Sequence, residues 1–160
     1  MLNIRVICVG RLRERFYTDA AAEYAKRLSA FCRLEICELP EERRPASPSP
    51  AATAAALSRE GEAIAAKIPP GAFTAALCVE GDLLASEDVA RLLERRALSG
   101  SPRLCFLIGG SDGLDEAVKK RADMRISMSR MTFPHHLARV MLLEQLYRGF
   151  QISEGGRYHK

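Results

Sequence analysis

Leu104-Cys105-Phe106-Leu107-Ile108 is an unbroken apolar run that gives way at once to Gly109-Gly110-Ser111-Asp112-Gly113. A run with no polar alternation suits a strand covered on both faces, as in a parallel sheet flanked by helices. The glycines then bring bare backbone to the C-terminal end of that strand. Ligands collect at such ends in open α/β sheets, and a missing side chain lets them approach closely. The rest of the chain can be read for what it adds to this loop.

On either side, strand and helix patterns alternate. β-Branched and apolar residues predict a strand over 4–9 that Gly10 stops. The basic loop Arg11, Arg13, Arg15 follows, and then helical periodicity from Phe16 through Tyr24 and Leu28 to Phe31. Strict alternation predicts a second strand over 34–39, with one wet face, ending at Pro40. Residues 41–50 carry charge and prolines without apolar period, so they read as a mobile loop. An alanine-rich helix over 51–67 precedes a third strand over 74–79. Ser86 is placed as the N-cap of a helix reaching Leu98, with Glu87 and Asp88 in its first turn. Beyond the glycine loop come a short helix over 114–121 and a less apolar fifth strand over 124–128. This order predicts a single α/β domain over 1–160 built on a mainly parallel five-stranded sheet.

The last segment has its own chemistry. Ser129-Arg130-Met131-Thr132-Phe133-Pro134-His135-His136 reads as a loop, with Pro134 in the first turn of a helix. In that helix Leu137, Val140, Met141, Leu142, Leu143, Leu146, Tyr147 and Phe150 wrap most of the circumference. Such a helix needs cover beyond its core face, which predicts a homodimer packed through it. The end, Gly155-Gly156-Arg157-Tyr158-His159-Lys160, begins flexibly and finishes with reactive groups. Composition narrows the remaining classes. The 160 residues suffice for a core, and a net charge of +4 is compatible with a polyanionic partner without demonstrating one. Of the five cysteines, Cys8, Cys78 and Cys105 lie in apolar runs, and no pairing suggests a disulfide or metal site. With no signal segment or membrane-length stretch, the expectation is a cytoplasmic protein without metal.

Taken together, Leu-Ile-Gly-Gly-Ser-Asp-Gly-Leu at 107–114, Ser-Arg-Met-Thr-Phe-Pro-His-His at 129–136, the helix carrying Arg139 and Tyr147, and the terminal Tyr-His-Lys form a specific combination. The chain resembles the SPOUT class of trefoil-knotted RNA methyltransferases. Within that class it is similar to the bacterial family that methylates N3 of a pseudouridine in large-subunit (23S) ribosomal RNA. The resemblance covers essentially the whole chain, including Val9-Gly10-Arg11-Leu12. It implies that the segment from about 104 to the end is threaded through its own loop, which no apolar pattern reveals. It also implies S-adenosylmethionine as methyl donor, bound by Leu77, by Gly109 and Gly110, and by Met128, Ser129, Arg130, Met131, Thr132 and Phe133.

Removing the imide proton of a uracil-type base requires a base, and His159 and His135 are the two candidates. Arg139 could stabilise the resulting anion and Tyr158 could orient the ring. Arg11, Arg13, Arg15 and Arg157 are candidates for RNA phosphates, with a whole ribosome as the expected partner. Each has a plainer reading: capping histidines, a frayed end, a simple turn, a solvated basic face. Two other classes remain open, a nucleotide- or phosphate-binding doubly wound module and a non-catalytic ribosome-binding protein. The absence of Gly-x-Gly-x-x-Gly speaks against a dinucleotide site.

Overall fold

The structure is a computed structural model that describes residues 1–159. In chain order it contains β1 (Leu2–Val9), α1 (Arg15–Leu28), β2 (Cys32–Leu39), α2 (Pro50–Lys67), β3 (Phe73–Leu83), α3 (Ser86–Ala97), β4 (Arg103–Ile108), α4 (Glu116–Arg121), β5 (Met124–Ser127) and α5 (His135–Ser153). The strands form one five-stranded sheet in the order β2-β1-β4-β3-β5, and every strand pairing is parallel. β4 is the central strand, which explains its apolar run. Leu104, Phe106 and Ile108 point into a core with Leu28 of α1, Leu93 of α3 and Leu143 and Leu146 of α5. Cys105 and Leu107 point the other way, against Ile64 of α2 and Leu114 and Val118 beside and in α4. Helices therefore cover both faces, as two-sided burial demands. Burial pushes the Cys8 and Cys105 thiols up to about 12, so both act as small apolar residues.

The structure departs from the sequence reading at several places. α1 ends at Leu28, and Phe31 stacks from the turn beyond it on Phe150 of α5, with ring centroids 5.4 Å apart. Ser86 is inside α3, not its cap. The exposed Ala85 N–H is taken by the Asp88 carboxylate at 2.8 Å, leaving the Ser86 hydroxyl to donate to Gln145 of α5 at 2.7 Å. β3 continues past Val79 to Leu83 through a register shift in which Leu77 and Asp82 both face Ile126 of β5. Gly81 makes that close approach possible, because a Cβ there would lie 2.7 Å from the Ile126 backbone.

Residues 41–50 are the largest correction, because side chains pin their first half. Arg44 is only 12% exposed and donates to Glu60 of α2 at 3.1 Å. Pairing outweighs the prolines here: Glu60 is buried in α2 and requires a cation.

Candidate cofactor cleft and active site

The C-terminal ends of β3, β4 and β5 open onto a cleft of about 700 Å³. Leu77, Ile108, Met131 and Phe133 give it apolar walls, and Gly109 to Gly113 run along one side. Of the nine residues expected to hold a methyl donor, Leu77, Gly109, Gly110, Met128, Ser129, Met131, Thr132 and Phe133 line this space. Arg130 is exposed and is not on the wall. The loop after β5 is a built turn: Ser127 donates to the Ser129 carbonyl at 2.8 Å, and the Ser129 hydroxyl accepts from the Met131 N–H at 3.0 Å. Gly109 has no room for a side chain, since a Cβ would sit 2.2 Å from the Gly113 carbonyl oxygen. The loop after β4 thus folds back on itself where only hydrogen fits.

A brace that sequence reading missed holds this loop from outside. The Glu41 carboxylate accepts from the Ser111 hydroxyl at 2.7 Å and from its N–H at 3.4 Å. The Ser111 hydroxyl bond is the main reason its pKa is lowered. Arg44 Nε lies 2.6 Å from Asp112 Oδ2, an ion pair without hydrogen-bond alignment, while its Nη2 reaches Glu60. Glu60 also accepts the Glu42 N–H at 3.2 Å. On another part of the wall Lys119 donates to Glu80 at 2.5 Å and to Glu116 at 3.3 Å. Burial disfavours the Lys119 charge, but these carboxylates outweigh it and raise its pKa.

His135, the first residue of α5, lines the cleft. Burial is the main cause that lowers its pKa, helped by His136 and opposed by Glu41. Its imidazole is consequently neutral at pH 7 and retains a lone pair. Arg139 lies one turn further on but turns inward. Its side chain is 3% exposed and donates to Glu38 at 2.6 Å and to the Gly10 carbonyl at 2.9 Å. Burial pushes Glu38 up, yet its bonds from Arg139 and the Leu12 N–H at 3.2 Å hold it below the usual carboxylate range. In this arrangement Arg139 anchors the start of the basic loop and is not among the residues lining the cleft.

A family model described as "Predicted SPOUT methyltransferase" matches residues 2–159. The chain belongs to the SPOUT methyltransferase family. Relatives called "Ribosomal RNA large subunit methyltransferase H" are similar over their full length. That of Pelotomaculum thermopropionicum is 47% identical, covering 99% of both chains. That of Moorella thermoacetica is 46% identical, covering 100% of both. Among solved structures, a probable methylase family protein from Haemophilus influenzae Rd KW20 aligns with a TM-score of 0.56 at 13% identity. That alignment covers 98% of this chain and 70% of the other, a likeness of fold alone.

In this SPOUT chain no described residue of the tail lines its own cleft. Tyr158 donates to Glu144 of α5 at 3.2 Å, with the Arg148 guanidinium 4.7 Å from its ring centre. Burial, and then bonds with Tyr24 and Glu144, push the Tyr158 hydroxyl up to about 12, so it acts as a donor and not as a base. His159 is 3.0 Å from Glu87 at the start of α3, and Lys160 of the tail motif lies outside the described residues. Glu144 follows His135 by nine positions, roughly 13 Å along the helix axis. The cations Arg11, Arg13, Arg15 and Arg157 are all exposed. Among the described residues no metal-holding group of His, Cys, Asp or Glu occurs, and no helix is long and apolar enough to cross a membrane.

Proposed function

We propose that this chain methylates N3 of a pseudouridine in large-subunit ribosomal RNA, using S-adenosylmethionine and acting on assembled ribosomes in the cytoplasm. The observation that carries the reading is the cleft. The C-terminal half of β3 and the loops after β4 and β5 converge there around an apolar space, the glycine loop admits no side chain, and a neutral imidazole stands at its edge. Full-length relatives named as large-subunit ribosomal RNA methyltransferases support the substrate class. The same reading takes 1–160 as one domain whose segment from about 104 threads as a trefoil knot.

The cleft suits the donor in size and lining, since pockets for molecules of this class span about 300–1,000 Å³ and are mostly apolar. Leu77, Met131 and Phe133 would hold the adenine, and the backbone at Gly109, Gly110 and 128–133 would read its edge and the ribose. When bound, S-adenosylmethionine supplies an electrophilic methyl group on a sulfonium. The protein must hold the base in line and take the N3 proton. His135 can accept it on its unprotonated ring nitrogen, and general-base help of this kind contributes about 10²–10⁴-fold. His159 is the competing base. Because it lies beside Glu87 at the start of α3 and does not line its own cleft, it would serve the cleft of a second copy. Half-buried Leu137 and Met141 on α5 provide the contact for such a homodimer. Arg139 would then position the basic loop, and Tyr158 would orient the base as a donor.

Calorimetry with S-adenosylmethionine, ATP and NAD, together with transfer of labelled methyl to ribosomes, tests this. S-adenosylmethionine alone should bind, and label should appear in the large-subunit RNA. Binding of ATP or NAD in its place indicates a nucleotide module. Ribosome association without label indicates a non-catalytic ribosome-binding protein.

A further inference from the structure

An aromatic track leads from the surface to His135 in the cleft, and the methyl-transfer chemistry uses only that inner end. Phe16, at the start of α1, is 67% exposed and is the one phenylalanine among the exposed large apolar side chains of the described residues. Its ring centroid lies 4.5 Å from that of Tyr17 at 56°. Tyr17 lies 6.0 Å from His136, and His136 lies 4.1 Å from His135, which lines the cleft. Four consecutive rings therefore connect solvent with the cofactor space. Exposed Arg11, Arg13 and Arg15 lie in the segment that leads directly into Phe16, and Arg15 has a loose pair with Asp19 at 3.6 Å. Glu14 is the other acidic residue of the segment, so cations predominate. The bonds of Arg139 to Gly10 and Glu38 fix the root of this loop.

We infer that Phe16 and Tyr17 form a stacking shelf for an unpaired RNA base next to the target nucleotide, with the surrounding arginines holding the flanking phosphates. Unpaired RNA is recognised by aromatic faces beside cations, and the stacking tolerates any base. A second copy of the chain is the poorer occupant: a two-fold contact would set this arginine cluster against itself. The inference rests on the proposed RNA substrate, and its test separates the two claims.

Phe16→Leu keeps an apolar group but removes the ring, whereas Phe16→Trp keeps a larger ring. Binding to ribosomes from a strain lacking the enzyme is read by co-sedimentation, methyl transfer by label, and oligomeric state by sedimentation of the protein alone. Phe16→Leu should weaken ribosome binding on the order of ten-fold, as loss of a stacked base does. Phe16→Trp should bind like the wild type, with oligomeric state and S-adenosylmethionine affinity unchanged in both. Equal ribosome binding by Phe16→Leu overturns the shelf, and so does a change of oligomeric state, which would make Phe16 an interface residue. Wild-type protein that binds ribosomes without transferring methyl refutes the proposed activity, while the binding comparison still decides the shelf.

Discussion

Replacing Arg44 with Met tests whether the 41–44 segment is a structural brace or a loose loop. The guanidinium joins Glu60, whose side chain is 3% exposed, to Asp112 of the glycine loop, which is 40% exposed. Removing one partner of a fully buried pair costs about 3–5 kcal/mol, because a charge is left without compensation. Two features reduce that here: Arg44 is itself 12% exposed, and Glu60 keeps the Glu42 N–H. The exposed arm to Asp112 contributes at most about 1 kcal/mol. The expected loss is therefore about 2–3 kcal/mol in urea unfolding, appearing as a lower midpoint with an unchanged slope. For a chain of this size that corresponds to a melting temperature lower by roughly 4–12 °C. Changing Glu60 to Leu as well should recover most of the loss, since apolar replacement of both partners removes the stranded charge. A single variant within about 0.5 kcal/mol of wild type, or a double variant no better than the single one, refutes the brace.

Gly109→Ala drives a methyl group into the Gly113 carbonyl, so calorimetry should show S-adenosylmethionine binding weakened by at least about ten-fold, with a stability loss of about 1–3 kcal/mol. His135 titrates below its usual 6.5 because it is buried, so the wild-type rate should hold as pH falls through 6.5 and drop only below it. His135→Gln should lose this acid limb and about 10²–10⁴-fold in rate in single-turnover assays; survival of the limb would assign the proton to another group. By the same shift the unfolded chain binds more protons below 6.5, so acid weakens the fold there. Truncation after Arg157 should reduce methyl transfer by at least about 10²-fold while calorimetry shows unchanged cofactor affinity; full transfer would end the role of the tail.

What could be read from the sequence was whatever burial and local periodicity encode. β4 announced its central place because both of its faces are covered, and the glycines after it announced a close backbone approach. Long-range polar pairing left no local mark. Glu41 meets Ser111 across 70 positions and Arg139 meets Glu38 across 101, so neither partnership has a spacing to detect. Residues 41–50 looked mobile because prolines and charges are visible in sequence, whereas the buried carboxylate of Glu60 that anchors Arg44 sits inside an alanine-rich helix. Arg139 illustrates the same limit from the other side. A cation near a cofactor loop reads as catalytic, but its direction depends on the Gly10 carbonyl just past β1 and the Glu38 carboxylate, which it finds only after folding.

The most direct test is mass spectrometry of large-subunit ribosomal RNA from a strain lacking this protein, before and after incubating its ribosomes with the protein and S-adenosylmethionine. One pseudouridine should gain a single methyl group at N3, only when protein and donor are both present. An unchanged RNA mass, or a methyl group found on another type of nucleotide, would contradict it.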